Sequence, residues 1–279
     1  MRKPDWLKVP LPSSRAFTDT QGLLGRLDLH SVCQEARCPN IGECFGSGTA
    51  AFLILGNLCT RNCRYCNVRH GRPDPVDESE PGRLAEAART LGLRHIVITS
   101  VTRDDLPDGG AGQFARCIDA LRREVAGCRV EVLIPDFQGD RKALETILAA
   151  RPDVLNHNLE VTRGLFAELR PQGDYHRSLD LLRHAAEAPV RTKTKSGFMI
   201  GLGEDRDGIL SLLDDLAAAS CAHLTIGQYL QPSRHHWPVA KFYAPEEFEE
   251  LRHEALGRGF RTVVAGPLVR SSYRAAECP

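Results

Sequence analysis

Six of the ten cysteines in this 279-residue chain fall between Cys33 and Cys66, and that clustering constrains the fold and the chemistry more than any other feature. They form two triplets. The second is Cys59-Thr-Arg-Asn-Cys63-Arg-Tyr-Cys66, with spacing C-x3-C-x2-C, and the first is Cys33, Cys38 and Cys44, with spacing C-x4-C-x5-C. With ten cysteines in 279 positions, a C-x3-C-x2-C pattern arises by chance in roughly 1% of such chains. Three thiolates can hold three irons of a [4Fe–4S] cube and leave the fourth iron open. An open metal position is the mark of a catalytic rather than a structural site. The competing reading of the second triplet is a zinc knuckle with His70 as fourth ligand. The first triplet is a weaker signal alone, and beside the other it suggests a second cluster that is also one protein ligand short. Cys117 and Cys221 lie on apolar stretches and read as core residues, and Cys278 as an exposed thiol.

Clustered cysteines in a reducing compartment are ligands or reactive thiols rather than disulfides. The first residues, MRKPDWLKVPLPSSR, contain no apolar h-region, and the longest apolar run, residues 50–55, is too short to span a bilayer. A cytoplasmic location and no membrane association are expected. Lys plus Arg number 36 and Asp plus Glu number 36, so no basic excess points to nucleic acid. The composition is that of an ordinary folded protein, with 42% hydrophobic and 26% charged residues.

Residues 1–50 lack clear periodicity and are expected to form an irregular extension. From residue 51 short apolar runs alternate with amphipathic stretches. Strands are predicted over 51–55, 95–99, 130–134, 154–157, 192–200, 223–226 and 262–265. Helices are predicted near 80–92, 111–125, 140–150, 163–169, 176–187, 205–219 and 245–258. Pro245-Glu246-Glu247 suits a helix first turn, and Gly92, Gly127 and Gly259 sit where helices should stop. This alternation predicts an α/β fold with parallel strands and right-handed crossovers, a partial or full (β/α) TIM-type barrel. No G-x-G-x-x-G follows the first strand, which disfavours a doubly wound dinucleotide fold. In such barrels chemistry sits at the C-terminal strand ends, and the second triplet directly follows the first barrel strand. The domains expected are an extension over 1–50 carrying the first triplet, a barrel over 51–265, and a C-terminal segment over 266–279.

C-x3-C-x2-C with Tyr65 before the last cysteine resembles the radical S-adenosylmethionine (SAM) enzymes. The upstream C-x4-C-x5-C and the C-terminal Arg270-Ser271-Ser272-Tyr273 are similar to the lipoyl synthases among them. The resemblance runs over nearly the whole chain, through CPNIGECF (38–45), NVRHGRP (67–73), ITSVTRDDLPDGGA (98–111), PDFQGD (135–140), LNHNLE (155–160), TKSGFMIGLGE (194–204), GQYLQPSRHHWPV (227–239) and GPLVRSSYRA (266–275). Ala51 and Leu53 depart from the commonest first strand, and no longer C-terminal peptide is expected after Ala275.

The resemblance implies a radical SAM barrel with two [4Fe–4S] clusters and S-adenosyl-L-methionine as cofactors. It implies that Cys59, Cys63 and Cys66 hold the cluster that binds SAM. The 5′-deoxyadenosyl radical made there would abstract hydrogen from C6 and C8 of an octanoyl chain. It implies that Cys33, Cys38 and Cys44 hold an auxiliary cluster that donates sulfur, with Ser272, in preference to Ser271, on its fourth iron. The implied partners are octanoylated lipoyl-carrier domains (2-oxoacid dehydrogenase E2 subunits and the glycine-cleavage H protein), a low-potential electron donor and an iron–sulfur carrier for cluster repair. Thr99, Ser100, Asn156, Lys195 and Arg234 are the candidate cofactor contacts. Lys195 is expected to meet a cofactor carboxylate, Asn156, His157 and Asn158 to end a barrel strand, and Arg270 to orient the serine. His235 and His236, adjacent on an extended segment, should point to different sides and not share a metal. A biotin-synthase-like enzyme acting on a small molecule and a non-catalytic metal-binding protein are the competing functions.

Overall fold

A computed structural model describes residues 2–47, 49–273 and 275–277 of the chain, without the side chain of Glu277. The expected exposed thiol of Cys278 lies outside the described residues. After a 3-10 turn at Asp5–Leu7 come helix α1 (Arg15–Arg26), strand β1 (His30–Ser31) and the short helices α2 (Val32–Glu35) and α3 (Ile41–Gly46). Strand β2 (Ala51–Ile54) opens the repeating part, followed by the small pair β3 (Leu58–Cys59) and β4 (Arg69–His70). Then come α4 (Glu80–Thr90), β5 (His95–Ser100), α5 (Ala111–Glu124), β6 (Arg129–Leu133), α6 (Arg141–Ala149) and β7 (Val154–Asn156). The second half holds α7 (Arg163–Leu169), α8 (Tyr175–Glu187), β8 (Lys193–Ile200), α9 (Arg206–Ala218), β9 (His223–Gln228), α10 (Pro245–Gly257) and β10 (Thr262–Gly266).

Eight strands form one sheet in the order β1-β2-β5-β6-β7-β8-β9-β10. Every pair in it is parallel except the antiparallel β1–β2 edge. Successive strands of this sheet are therefore neighbours, joined by β-α-β connections. Among the described residues no ladder joins β10 back to β1 or β2, so the barrel is open. All four residues of β2 and all six of β9 are buried, which is why these strands read as unbroken runs rather than alternations. Two apolar clusters fill the layers. One lies under β2, β5 and β6 against α4, α5 and α6, and the other under β8, β9 and β10 against α9 and α10.

Local chemistry sets the helix boundaries. Asp140, Asp174 and Asp205 cap α6, α8 and α9 by accepting first-turn N–H groups. Gly92, Gly127 and Gly259 follow α4, α5 and α10 with left-handed φ of 63°, 69° and 94°. The Glu247 carboxylate accepts the Ala244 N–H at 2.8 Å and closes the first turn of α10.

Residues 1–50 are more ordered than their composition suggests. α1 is a full three-turn helix whose N-cap Ser14 accepts the Phe17 N–H, and it buries Leu23 and Leu24. Phe17 packs on the fully buried Phe45, with ring centroids 5.7 Å apart. Gly22 and Gly25 each cost helix propensity, about 1 kcal/mol apiece, and masked the period. Packing against the barrel outweighs that cost. The C-terminal segment returns to the same region, where Asn40 Nδ2 donates to the Leu268 carbonyl at 2.7 Å and the Tyr273 hydroxyl lies 3.1 Å from the Glu43 carboxylate. No helix among the described residues is long and apolar enough to cross a membrane.

Candidate active site

The loop carrying Cys59, Cys63 and Cys66 leaves the C-terminal end of β2 through two left-handed residues, Leu55 (φ 67°) and Gly56 (φ 86°). A leucine in that region is strained. It is held because its N–H donates to both carboxylate oxygens of buried Glu80, each at 3.1 Å, while Gln113 Nε2 donates to Glu80 Oε2 at 2.8 Å. The Gly109-Gly110 pair of the LPDGG stretch makes room for this turn. A Cβ at Gly110 would overlap Leu55 Cδ1, and its φ is 91°.

Parallel pairing of Leu58 with Arg69 and of Cys59 with His70 closes the loop. Cys59 Sγ accepts the backbone N–H groups of Arg61 at 3.4 Å and Thr102 at 3.3 Å. Arg61 fixes the loop from within. Its Nε and Nη2 meet the Asp104 carboxylate at 2.6 and 2.8 Å, and Nη2 also meets Asp136 Oδ1 at 2.6 Å. Tyr65 stands beside Cys63 on the same cavity wall. Burial pushes the Cys63 thiol up, and burial together with the neighbouring thiols pushes Cys66 up to about 12. Thiols raised in this way become thiolates together only where cationic metal compensates them.

These cysteines line a cavity of about 190 Å³ with Thr99, Ser100, His157, Asn158, Glu160 and Arg170. Ser100 Oγ, His157 Nε2, Asn158 Oδ1 and Arg170 Nε are buried there without hydrogen-bond partners. Buried polar atoms are almost always satisfied, so four orphans around one cavity fit a polar ligand such as SAM. Thr99 Oγ1 donates to the Leu133 carbonyl at 3.0 Å. Arg170 donates to the carbonyls of Asn158 and Leu159 at 3.0 and 3.2 Å. Burial raises Glu160, which lies beside Arg170, Asn158 and Arg270, above the usual carboxylate range.

Cys33, buried, and Cys44 line a second cavity of about 610 Å³ together with Ser272. Ser271 is not on its wall. Cys38 N–H donates to the Cys33 carbonyl at 2.9 Å, and Arg37 turns the chain between them with φ 48°. Burial, with Cys33 and Cys38 beside it, pushes the Cys44 thiol up to about 12. The pieces of this site come from both ends of the chain and are held together by the Asn40–Leu268 and Glu43–Tyr273 contacts.

Several expected roles change. Lys195 lies within β8, and its Nζ is paired not with a cofactor carboxylate but with Glu131 Oε1 at 2.8 Å, both groups buried. Asn156 does end β7, but its Nδ2 donates to Glu131 at 3.4 Å, so it belongs to the same buried network rather than to the cavity wall. Arg234 is exposed and lies off the cavity wall. The Arg270 guanidinium donates to the Val269 carbonyl and faces Cys38 and Glu160, and it makes no hydrogen bond to Ser272. His70 is exposed on β4 and is not on the wall of the cavity that Cys59, Cys63 and Cys66 line, against its role as fourth ligand of a zinc knuckle. His236 bonds the Cys66 carbonyl and Ser233, and exposed His235 donates only its backbone N–H, to Ser233. Cys117 and Cys221 are core residues as expected, and so is Cys128. Arg61, Glu160 and Arg170 were not singled out in the sequence. Arg61 sat inside the triplet and its partners inside two quoted motifs, whereas nothing local marks Arg170.

The Radical SAM superfamily model matches residues 53–216. The lipoyl synthase of Rubrobacter xylanophilus is 52% identical over 275 residues, covering 99% of this chain and 86% of that protein. The lipoyl synthase of Roseiflexus sp. is 51% identical over 274 residues, covering 98% and 91%. Among solved structures, SuiB of Streptococcus suis bound to S-adenosylmethionine superposes with a TM-score of 0.60 at 13% identity, over 89% of this chain and 60% of that one, a likeness of fold. Identity near one half along almost the full length, on the open barrel and paired cysteine sites described above, places this chain in the lipoyl synthase family of the radical SAM superfamily.

Proposed function

We propose that this chain inserts two sulfur atoms, at C6 and C8, into an octanoyl group carried on a lysine of a lipoyl domain. The observation that supports this most directly is the common cavity of Cys33, Cys44 and Ser272, which joins a second thiol set to a hydroxyl from the far end of the chain.

Cys59, Cys63 and Cys66 would hold one [4Fe–4S] cluster. Cys33, Cys38, Cys44 and Ser272 would hold the auxiliary cluster, which would supply the sulfur. When bound, the clusters and SAM supply the one-electron chemistry and the sulfur that an unactivated methylene requires and that acid–base side chains cannot. The chain's residues do the rest. Ser100, His157, Asn158 and Arg170 offer their unpaired polar atoms to the cofactor, with Thr99 beside them. The Arg61 clamp fixes the thiol loop. The apolar walls Val32, Leu53 and Val101 exclude water from the cavity. The Ser272 hydroxyl would be a harder and weaker ligand for the auxiliary cluster than a thiolate.

Its partners are octanoylated carrier domains of 2-oxoacid dehydrogenase E2 subunits and the glycine-cleavage H protein, a low-potential electron donor and an iron–sulfur carrier. A cytoplasmic location suits the free thiols.

The test is anaerobic reconstitution followed by iron and sulfide analysis and by mass spectrometry of an octanoyl-lysine peptide. About eight irons per chain and a gain of two sulfurs are expected. An unmodified peptide with SAM consumed would sink the assignment. Ser272→Ala is expected to keep SAM cleavage and lose sulfur insertion by about 100-fold, while Ser271→Ala stays near wild type.

A further inference from the structure

Residues 2–12 lie across the seam where the two ends of the chain meet. At one end of this segment the Pro12 ring sits on α3, the helix that carries Cys44. A Cβ at Gly42 would stand 3.2 to 3.4 Å from Pro12 Cγ, Cβ and Cα, so the glycine seats the proline. At the other end Lys3 stands beside Arg270, whose guanidinium faces Cys38. Between them Leu7 is fully buried, the only buried residue of the segment. Asp5 pairs with Lys8 inside the segment, and among the described residues no hydrogen bond or ion pair joins 2–12 to the rest of the chain. A segment with one buried side chain and no backbone pairing belongs to the low-stability end of a fold. Lys3 and Arg270 are both cations, and like charges side by side repel. Burial and the Arg270 charge hold the Lys3 ammonium below the ordinary lysine value, as expected of a cation short of a counter-ion.

From this juxtaposition we infer that residues 2–12 form a strap over the seam, held down by the negative charge of a loaded Cys33–Cys38–Cys44 site and released when that site is emptied. The inference rests on the assignment of that triplet as cluster ligands. Three thiolates and a serine oxygen leave a loaded site net negative, which supplies the counter-charge that the two neighbouring cations lack. Without iron and sulfide that charge is gone, and the Lys3–Arg270 repulsion is opposed by little more than the burial of Leu7. A chain that consumes its own sulfur source would then cover the site while it is loaded and uncover it for refilling once it is spent. No covalent bond forms or breaks in this movement.

The test uses the anaerobically reconstituted full chain, the same chain stripped of iron by a chelator, a Cys44→Ala variant that keeps the second triplet, and a Lys3→Glu variant. Tryptic cleavage after Lys8, followed by mass spectrometry, reads strap opening. Cleavage after Arg26, at the end of α1, reads unfolding of the whole extension. Emptying the first site should speed cleavage at Lys8 by about 10-fold at low salt and by much less at high salt, with cleavage at Arg26 changed by less than about twofold. In Lys3→Glu the loaded and stripped chains should be cut at Lys8 at rates within about twofold, because the new carboxylate answers Arg270 when the site is empty and opposes the anion when it is full. Equal cleavage at Lys8 in loaded and stripped parent overturns the inference. So does equal acceleration at Lys8 and Arg26, since the whole extension then unfolds, and so does a Lys3→Glu variant that keeps the full difference. Iron and sulfide analysis isolates the underlying assignment. A Cys44→Ala chain that retains as much iron as the parent shows that the first triplet holds no cluster, and the strap claim then falls with that assignment whatever the cleavage rates.

Discussion

Arg61 Nη2 and Asp136 Oδ1 are 2.6 Å apart, and both side chains are almost wholly withdrawn from water. The arginine belongs to the cysteine loop after β2 and the aspartate to the loop after β6, so one ion pair ties the first loop of the barrel to the third. Asp104, from the loop after β5, completes the clamp. Removing one partner of a buried pair strands the other's charge, which typically costs 3–5 kcal/mol. Arg177, 3.4 Å from Asp136, offsets part of this. Arg61→Ala should therefore destabilise by about 3 kcal/mol in urea denaturation and lower the iron retained after reconstitution. Arg61→Lys should recover little, because an ammonium cannot make the bidentate contact to Asp104. Full stability in Arg61→Ala would show that the clamp is ornamental.

Gly110 and Leu55 test the strained turn that starts the thiol loop. Gly110→Ala sets a methyl group against Leu55 Cδ1 in a left-handed backbone, and a loss of roughly 2–3 kcal/mol is expected. Gly92→Ala shares the left-handed φ but meets nothing within 4 Å, and should cost about 1 kcal/mol. Comparing the two by chemical denaturation separates steric overlap from backbone preference.

Lys195 distinguishes a structural from a cofactor role. Lys195→Met leaves the Glu131 carboxylate buried with only His95 (3.3 Å) and Asn156 near it, and should destabilise by roughly 3 kcal/mol. SAM affinity of the folded variant, measured by calorimetry, should stay within about threefold of wild type, well under 1.4 kcal/mol. A large loss of affinity with unchanged stability would restore the lysine to the cofactor site.

His223 makes acid stability a readout of the barrel interior. Its ring is buried without a partner for either nitrogen, and burial, with Lys193, Lys195 and Arg261 nearby, lowers its pKa from 6.5 to about 4. A pKa depressed in the fold means that the folded state favours the neutral ring. Its contribution is complete above pH 6.5, the ordinary value, and is lost as pH falls toward 4. By about pH 5.5 the loss should approach 1.4 kcal/mol. His157, lowered to about 4 chiefly by burial, adds to the same slope. Urea denaturation of His223→Gln at neutral and mildly acidic pH should show a shallower fall than wild type; parallel profiles would refute the assignment.

The alternation of strands and helices was legible along the chain, because apolar period and capping residues act locally. Pro245 with its acids and Gly92, Gly127 and Gly259 fell where they were expected. The sequence also marked the six cysteines, since a thiol spacing needs no third dimension to be read. It left α1 unseen, because Gly22 and Gly25 hide a helix that only burial of Leu23 and Leu24 stabilises. Tertiary structure alone decided which buried polar groups serve the cavity. Lys195 and Asn156 went to Glu131 because neighbouring strands place them opposite one another, and Arg170 and Glu160 came to the thiols because their loops converge at the open end of the barrel. It likewise decided that Ser272, from the end of the chain, shares a cavity with Cys33, from its beginning. Charge pairing acts through space at a few ångströms, and sequence separation carries almost no information about it.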